Sequence, residues 1–204
     1  MIMMDAESQK IIMKDSVVRE SYQTAYPCFR KLKEKDLIPL FVTMDGHIQV
    51  MRALREVWPQ VTLQRCLYHI QRQGLSWLRT FPKTQAGRDL RRLLLDICDI
   101  KTVKERDDFI KSYKRWLLKY RTFVKSLPRT SVAFKDLKKT MVLITNALPD
   151  MFHYLKDPKV ESTCNKLESF YSRLKADFRR HRGLSENHKK SYLKWYCCFQ
   201  NQGK

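Results

Sequence analysis

Residues 40–47 read Leu-Phe-Val-Thr-Met-Asp-Gly-His, and the rest of the chain is organised around them. An apolar run that ends on a carboxylate and is followed at once by glycine predicts a buried β-strand that ends in a sharp turn. The strand delivers Asp45 to its carboxyl end. Apolar residues then recur at helical spacing from Ile48 to Val57, and Trp58-Pro59 predicts the end of that helix.

A second short strand is predicted at Val61–Leu63, and a further helix is predicted to begin near Tyr68. Strand, helix, strand is a βαβ unit, which has parallel strands and a right-handed crossover. Because neighbouring parallel strands end at the same edge of a sheet, we expect Asp45 to share that edge with Cys66 and His69. The carboxyl edge is where α/β folds place their functional sites.

The composition is that of a folded and strongly basic protein. Of the 204 residues, 43% are hydrophobic, and 41 lysines and arginines against 21 acidic residues give a formal charge of +20. An excess this large predicts a polyanionic partner, of which nucleic acid is the most common. An anionic membrane surface is the competing partner. We expect no membrane association, because no lipidation motif, transmembrane-length apolar span or secretory signal is visible.

The six cysteines are scattered through the chain without a Cys-x-x-Cys pair. In a chain of this size the pattern indicates reduced cytosolic thiols that fill the core, and not a disulfide framework. Cys66 and His69 offer half of a zinc site, but no second pair stands at zinc-finger spacing. Nothing in the sequence identifies Cys66 as an activated nucleophile. The preferred interpretation is that His69 hydrogen-bonds near the carboxylates or contacts DNA.

Helices are predicted through most of the remaining chain. A hairpin of two short strands opens the sequence, and the helix that contains Pro27 is either kinked or begins later than its pattern suggests. Over residues 69–155 the apolar and aromatic positions recur at helical spacing, and Thr102 with Glu105 forms a capping box that marks a helix start. We interpret the aromatic stripes as packed core and not as a cofactor site.

Two more helices follow the polar loop at Asp157-Pro158. The first has a polar face formed by Glu168, Ser172, Lys175 and Arg179. A carboxylate on an otherwise cationic face suits a site where an acid holds a metal ion and basic residues hold phosphates. A solvated helix with i,i+4 salt bridges explains the same spacing, and from the spacing alone both interpretations stay open.

Five strings stand in a particular order along the chain: Asp45-Gly46-His47, Trp58-Pro59, Gln64–Ile70, Thr163–Ser169 and His181–Leu184. Together they resemble the Mutator-like DDE transposases, and the resemblance covers nearly all of the chain. It implies an α/β fold with an RNase H-like core, that is, a mixed sheet flanked by helices. A large all-helical insertion would make the protein helix-dominated overall. The implied domains are residues 1–69 for the first part of the core, 70–158 for the insertion and 159–204 for the helices that complete the core.

The resemblance also implies the residues of a catalytic site. Asp45 matches the second catalytic acid of the family and Glu168 matches the third, so both would bind Mg²⁺ or Mn²⁺. Cys66 and His69 match its Cys-x-x-His element beside the site. The residues expected to bind DNA are Lys175, Arg179, Arg180 and Arg182.

The implied function is that of a DNA transposase catalytic core, which performs metal-dependent strand cleavage and transfer during transposition. Its partners would be the transposon ends and the target DNA, and the full-length protein would be a homo-oligomer. The expected location is the nucleus in a eukaryote, or the nucleoid-associated cytoplasm in a prokaryote.

The chain departs from the family pattern at its start. The first catalytic aspartate of the family lies on a strand that precedes a hairpin, whereas residues 1–18 best match the hairpin itself. We therefore expect a fragment that lacks the first strand and an N-terminal DNA-binding module. Asp5 is the alternative first acid, but it lies only 40 positions before Asp45, which leaves little room for two strands and a helix.

Two other functions remain open from the sequence. A catalytically dead, transposase-derived DNA-binding remnant would bind DNA with a steep salt dependence and cleave nothing. A helical interaction protein that happens to be basic would show no affinity for DNA at moderate salt.

Overall fold

The fold is described by a computed structural model over residues 1–14, 19–181 and 183–202. Helices dominate it, and the strands are short. The strands are β1 (Ile2–Met4), β2 (Ile11–Lys14), β3 (Phe41–Met44) and β4 (Thr62–Arg65). The α-helices are α1 (Tyr22–Lys33), α2 (Ile48–Val57), α3 (Leu67–Leu78), α4 (Gln85–Leu95), α5 (Val103–Ser126), α6 (Val132–Ala147), α7 (Asn165–Arg180) and α8 (Glu186–Gln202).

The chain divides into two compact units. The terminal unit consists of Met1–Leu40, His47–Val61 and Cys164–Lys204. The helical unit consists of Phe41–Gly46 and Thr62–Thr163. The central strands therefore belong to the helical unit, whereas the hairpin and the last two helices belong to the terminal unit.

In the helical unit, β3 and β4 pair in parallel over four residues, from Phe41 opposite Thr62 to Met44 opposite Arg65. This pairing confirms the two strands and their direction. The prediction of a buried strand is wrong for β3, because all four of its residues are only half-buried. The physical reason is that β4 is the only strand among the described residues that pairs with β3.

Helices α3 to α6 surround the main hydrophobic core, which confirms the helical block expected from the sequence. The aromatic stripe of α5 lies in this core, with Tyr113 1% and Trp116 4% exposed. The indole of Trp116 donates a hydrogen bond of 2.9 Å to the carbonyl of Ala86. The capping box is also present, since Thr102 and Glu105 each accept a hydrogen bond from the other's backbone N–H.

The side chain of Gln64 joins β4 to the end of the helical block. It is fully buried. Its amide nitrogen donates to the carbonyls of Met151 (2.7 Å) and Arg65 (2.8 Å). Its amide oxygen accepts from the backbone N–H groups of His153 (2.9 Å) and Tyr154 (3.3 Å). One buried side chain thus supplies hydrogen bonds to four backbone groups, at a place where water cannot take over the role of the side chain.

In the terminal unit, β1 and β2 form the antiparallel hairpin that the sequence predicts. Helices α7 and α8 pack on it. The core of this unit consists of Ile2, Ile11, Phe170, Leu174 and Cys197. The side-chain amide of Asn201 accepts a hydrogen bond from the N–H of Ile11 (2.7 Å) and donates one to its carbonyl (3.0 Å). The two ends of the sequence are therefore held together by both apolar and polar contacts.

Helix α1 begins at Tyr22 and continues past Pro27. The alternative that the helix begins later than its apolar pattern suggests is therefore wrong. Ser21 caps α1, and Trp58 at the end of α2 donates a hydrogen bond of 3.0 Å to the carbonyl of Leu37.

The single mixed sheet expected from the sequence is not formed by the described strands, since none of them pairs with both β1 and β3. Over the described ranges, no helix combines the length and the apolarity needed to cross a membrane.

Candidate active site

Asp45 follows directly after β3, at the carboxyl end of the parallel strand pair. Its preceding residue, Met44, is paired with Arg65, and the backbone N–H of Cys66 donates a hydrogen bond of 2.8 Å to the carbonyl of Met44. Asp45 and Cys66 therefore lie at the same edge, as the strand–helix–strand pattern predicts. Asp45 is half-buried there.

Cys66 and His69 are in contact across the first turn of α3. Cys66 is fully buried at the residue before the helix, and its Sγ lies 3.2 Å from Nδ1 of the half-buried His69. Residues three apart on a helix lie on one face, so this contact follows from the spacing. The pair lies at the edge that carries Asp45, which agrees with the position that the resemblance implies for it.

The structure also places Arg65 at this edge, a residue that the sequence did not single out. Its side chain is only 6% exposed. A methyl group added at Gly46 would occupy the space of the Arg65 guanidinium. A side chain at position 46 would therefore require the guanidinium to move, and a buried positive charge lies next to the turn that carries the carboxylate. The signal in the sequence is weak, because an arginine that ends a strand is usually exposed.

Replacing Gly46 by alanine is expected to displace the Arg65 guanidinium and to lower the free energy of unfolding by about 1–3 kcal/mol. Thermal unfolding measures this change. In the double variant Gly46→Ala/Arg65→Ala the two side chains no longer compete for space, so the two single effects should be non-additive. Strict additivity would show that the side chains do not meet.

The chain that returns from the helical block passes the same edge. The hydroxyl of Thr43 donates a hydrogen bond of 2.6 Å to the carbonyl of Glu161, which is 118 positions away in sequence. The N–H of Leu67, at the start of α3, donates one of 3.0 Å to the carbonyl of Ser162. Helix α7 begins at Asn165, three residues beyond Ser162.

Helix α7 carries the second predicted acid and the predicted DNA-binding residues. Glu168 is half-buried in the first turn. Lys175 and Arg179 are exposed on the helix, and the ammonium of Lys175 lies 5.9 Å from the centre of the Tyr171 ring. Burial, together with the nearby carboxylates of Glu20 and Glu168, raises the pKa of Tyr171 to about 12. The phenol therefore stays neutral at physiological pH.

The other two residues predicted to bind DNA are Arg180 and Arg182. Arg180 is exposed, but its guanidinium lies 3.6 Å from the carboxylate of Asp177, which offsets part of its charge. Arg182 lies outside the described residues.

Asp45 belongs to the helical unit and Glu168 to the terminal unit, so a shared metal site remains a prediction from the sequence.

Asp5, the alternative first acid, lies in the turn of the β1–β2 hairpin. Its carboxylate accepts hydrogen bonds from the hydroxyl (2.6 Å) and the backbone N–H (2.7 Å) of Ser8. These bonds hold the pKa of Asp5 below its usual range. The carboxylate thus has a local role in shaping the turn.

The described cysteines form no disulfide. Cys197 is buried in the core of the terminal unit. Burial is also the main cause that raises the pKa of Cys98 to about 11. These thiols stay protonated at neutral pH, which suits core residues and not nucleophiles.

A comparison with known families identifies the class of protein to which this chain belongs, namely the transposases. Residues 2–156 match the sequence model of the family described as "Transposase, Mutator family". Since the match spans more than half of the chain, the protein belongs to the Mutator family of transposases. Membership of a transposase family implies interaction with DNA. A search of curated proteins found no match.

The matched residues contain Asp45, Arg65, Cys66 and His69, but they end before Glu168. The family match therefore covers the edge of the β3–β4 pair but not Glu168. The role of Glu168 rests on the resemblance of Thr163–Ser169 to the third-acid helix.

Proposed function

We propose that this chain is the catalytic core of a DNA transposase, which cleaves and transfers DNA strands with the help of divalent metal ions. The observation that carries the proposal is the position of Asp45 at the carboxyl edge of β3 and β4, within the residues that match the transposase family. Parallel α/β sheets place their reactive groups at this edge.

The donor chemistry of the two predicted acids fits Mg²⁺ or Mn²⁺. Asp45 and Glu168 would supply carboxylate oxygens, the hard ligands that these ions prefer, whereas Cys66 and His69 would supply softer donors. When bound, such ions activate the attacking oxygen and stabilise the leaving oxygen of a phosphodiester. Within the chain, Arg65 places a buried positive charge beside the turn that carries Asp45, where it would orient the carboxylate by electrostatic attraction.

Binding of the DNA backbone is assigned to the exposed cations of α7. Lys175 and Arg179 are the strongest candidates, since Arg180 is partly neutralised by Asp177. The formal charge of +20 supports a polyanionic partner, because phosphate contacts supply most of the affinity in non-specific DNA binding.

The RNase H-like core is part of the same proposal. Among the described strands, β3 pairs on one side only, and its residues are half-buried. A strand with one unpaired edge and partly exposed side chains can accept a further strand. The first catalytic strand of the family, with its own aspartate, would occupy such an edge and would complete the set of three acids.

A DNA-binding protein without cleavage activity is the second candidate. The observation that favours it is the engagement of the Asp5 carboxylate with Ser8 in the hairpin turn, which gives the alternative first acid a local structural role. This candidate predicts DNA binding with the same α7 residues and no nicking.

DNA binding can be tested by fluorescence anisotropy with duplex DNA over a series of salt concentrations. The double variant Lys175→Gln/Arg179→Gln should weaken binding and reduce the slope of log K against log[salt] by about 1 for each phosphate that the protein no longer neutralises. The matched control is Lys31→Gln/Lys35→Gln, which removes the same charge from exposed positions on and after α1. An equal effect of both double variants would contradict a specific role for α7.

A further inference from the structure

Phe81 is the most exposed large hydrophobic side chain among the described residues, at 89%. It lies in the loop between α3 and α4 of the helical unit. A single exposed apolar residue needs no special explanation. The surroundings of Phe81, however, distinguish it from the other exposed apolar side chains of this unit.

The loop that presents Phe81 is held by hydrogen bonds on its helix side. The guanidinium of Arg88 donates to the carbonyl of Pro82 (3.1 Å) and to the side chain of Gln85 (3.0 and 3.1 Å). Thr84 caps α4 by accepting a bond of 3.1 Å from the N–H of Gly87. The phenyl ring is therefore held outward by an anchored loop.

The ring borders a shallow groove of about 290 Å³, which we name the Phe81 groove. Its lining includes Phe81, Pro82, Arg88, Arg91, Arg92 and Leu95. Leu95 is 46% exposed, so three apolar side chains and three guanidinium groups share one small surface. Nη1 of Arg91 is shielded from solvent and makes no hydrogen bond to any described residue.

The positive charge of the Phe81 groove is not cancelled by Asp89, the acidic residue nearby. Asp89 lines an adjacent groove, which shares Arg92 with the Phe81 groove. Its carboxylate accepts a hydrogen bond of 2.6 Å from the hydroxyl of Tyr120 and lies 3.7 Å from the ammonium of Lys119. Asp89 is thus already engaged on α5, and the Phe81 groove keeps a net cationic character.

We propose that the Phe81 groove binds an unpaired nucleotide of a DNA strand, with the base stacked on Phe81 and the adjoining phosphates on Arg91 and Arg92. This inference rests on the proposed action on DNA and adds a contact outside the candidate active site. An aromatic face next to guanidinium groups is the combination by which proteins bind single-stranded nucleic acid. A base in an intact duplex has both faces covered, so duplex DNA would use only the arginines.

The test compares a short fluorescent oligothymidine with a blunt duplex by anisotropy at moderate salt. Phe81→Ala should weaken binding of the single strand about tenfold and leave duplex binding within about twofold, while Phe81→Trp should retain single-strand binding. Leu118→Ala is the matched control, because Leu118 is 84% exposed in the same unit and cannot stack. Arg91→Gln/Arg92→Gln should weaken binding of both DNA forms and reduce the salt dependence.

The outcomes separate this inference from the function on which it rests. If the unmodified chain binds neither DNA form, the proposed function fails. If it binds both forms and Phe81→Ala binds the single strand as tightly as the unmodified chain, the nucleotide site alone is overturned. An equal loss of affinity in Phe81→Ala and Leu118→Ala would also overturn it, since the effect would then come from reduced apolar surface and not from stacking.

Discussion

Replacing Asp45 by asparagine, in a chain that also carries the family's first catalytic strand, is expected to slow metal-dependent nicking of supercoiled DNA by at least about a hundredfold. The asparagine keeps the size of the side chain but removes the negative charge that a divalent cation requires. Because Asp45 lies at the end of β3 and is only half-buried, the substitution should leave the fold intact. Nicking is measured by the conversion of supercoiled to open-circular plasmid in Mg²⁺ or Mn²⁺, and Glu168→Gln should slow it to a similar extent.

Two control variants make this result specific. Asp5→Asn changes a carboxylate in the hairpin turn, and Glu186→Gln changes an exposed glutamate in the first turn of α8 that pairs with Lys189. Both should nick at the unmodified rate. Loss of nicking in Asp5→Asn would assign the first acid to the hairpin. If Asp45→Asn nicks normally, Asp45 does not belong to the site. If the chain that carries the first catalytic strand binds DNA and does not nick it, the non-catalytic remnant is favoured.

Replacing Gln64 by leucine should lower the free energy of unfolding by about 4 kcal/mol or more, because four buried polar groups lose a partner and each costs about 1–3 kcal/mol. Two backbone N–H groups and two carbonyls would be deprived of their partner, and the site is closed to water. Unfolding in guanidinium chloride, followed by circular dichroism, measures the change.

Gln71→Leu is the matched control for the Gln64 variant. Its side chain also donates to two backbone carbonyls, those of Leu94 and Leu95, but it is only half-buried, and water can replace it. The expected cost is below about 1 kcal/mol. Equal costs for the two variants would show that burial of Gln64 does not set its contribution.

The spacing of apolar residues, together with the residues that mark the ends of helices and strands, predicted much of the fold. The apolar run before Asp45-Gly46 gave β3, and the Thr102–Glu105 capping box marked the start of α5 within one residue. These signals are local, so they can be seen in sequence. The half-buried state of β3 could not be predicted, because exposure depends on which other strands pair with it. The separation into two units also depends on contacts between distant segments.

For the candidate site, the sequence predicted the edge that Asp45 shares with Cys66 and His69, but not the contact of Cys66 with His69. It missed Arg65 and Gln64, because polar residues are normally exposed and nothing local shows that these two are buried. It also gave no sign that Phe81, an aromatic residue before a proline, is exposed. Its exposure follows from the anchored loop, and that loop depends on Arg88.

We propose that Asp45 and Glu168 bind a common divalent ion, and a crystal structure of the protein with Mn²⁺ and DNA tests this proposal most directly. The anomalous signal of manganese would locate the ion without reference to any assumed ligand. We predict a peak at roughly 2.0–2.2 Å from a carboxylate oxygen of each residue, the range for small octahedral cations. Manganese bound elsewhere, with the two carboxylates facing different surfaces, would contradict the claim.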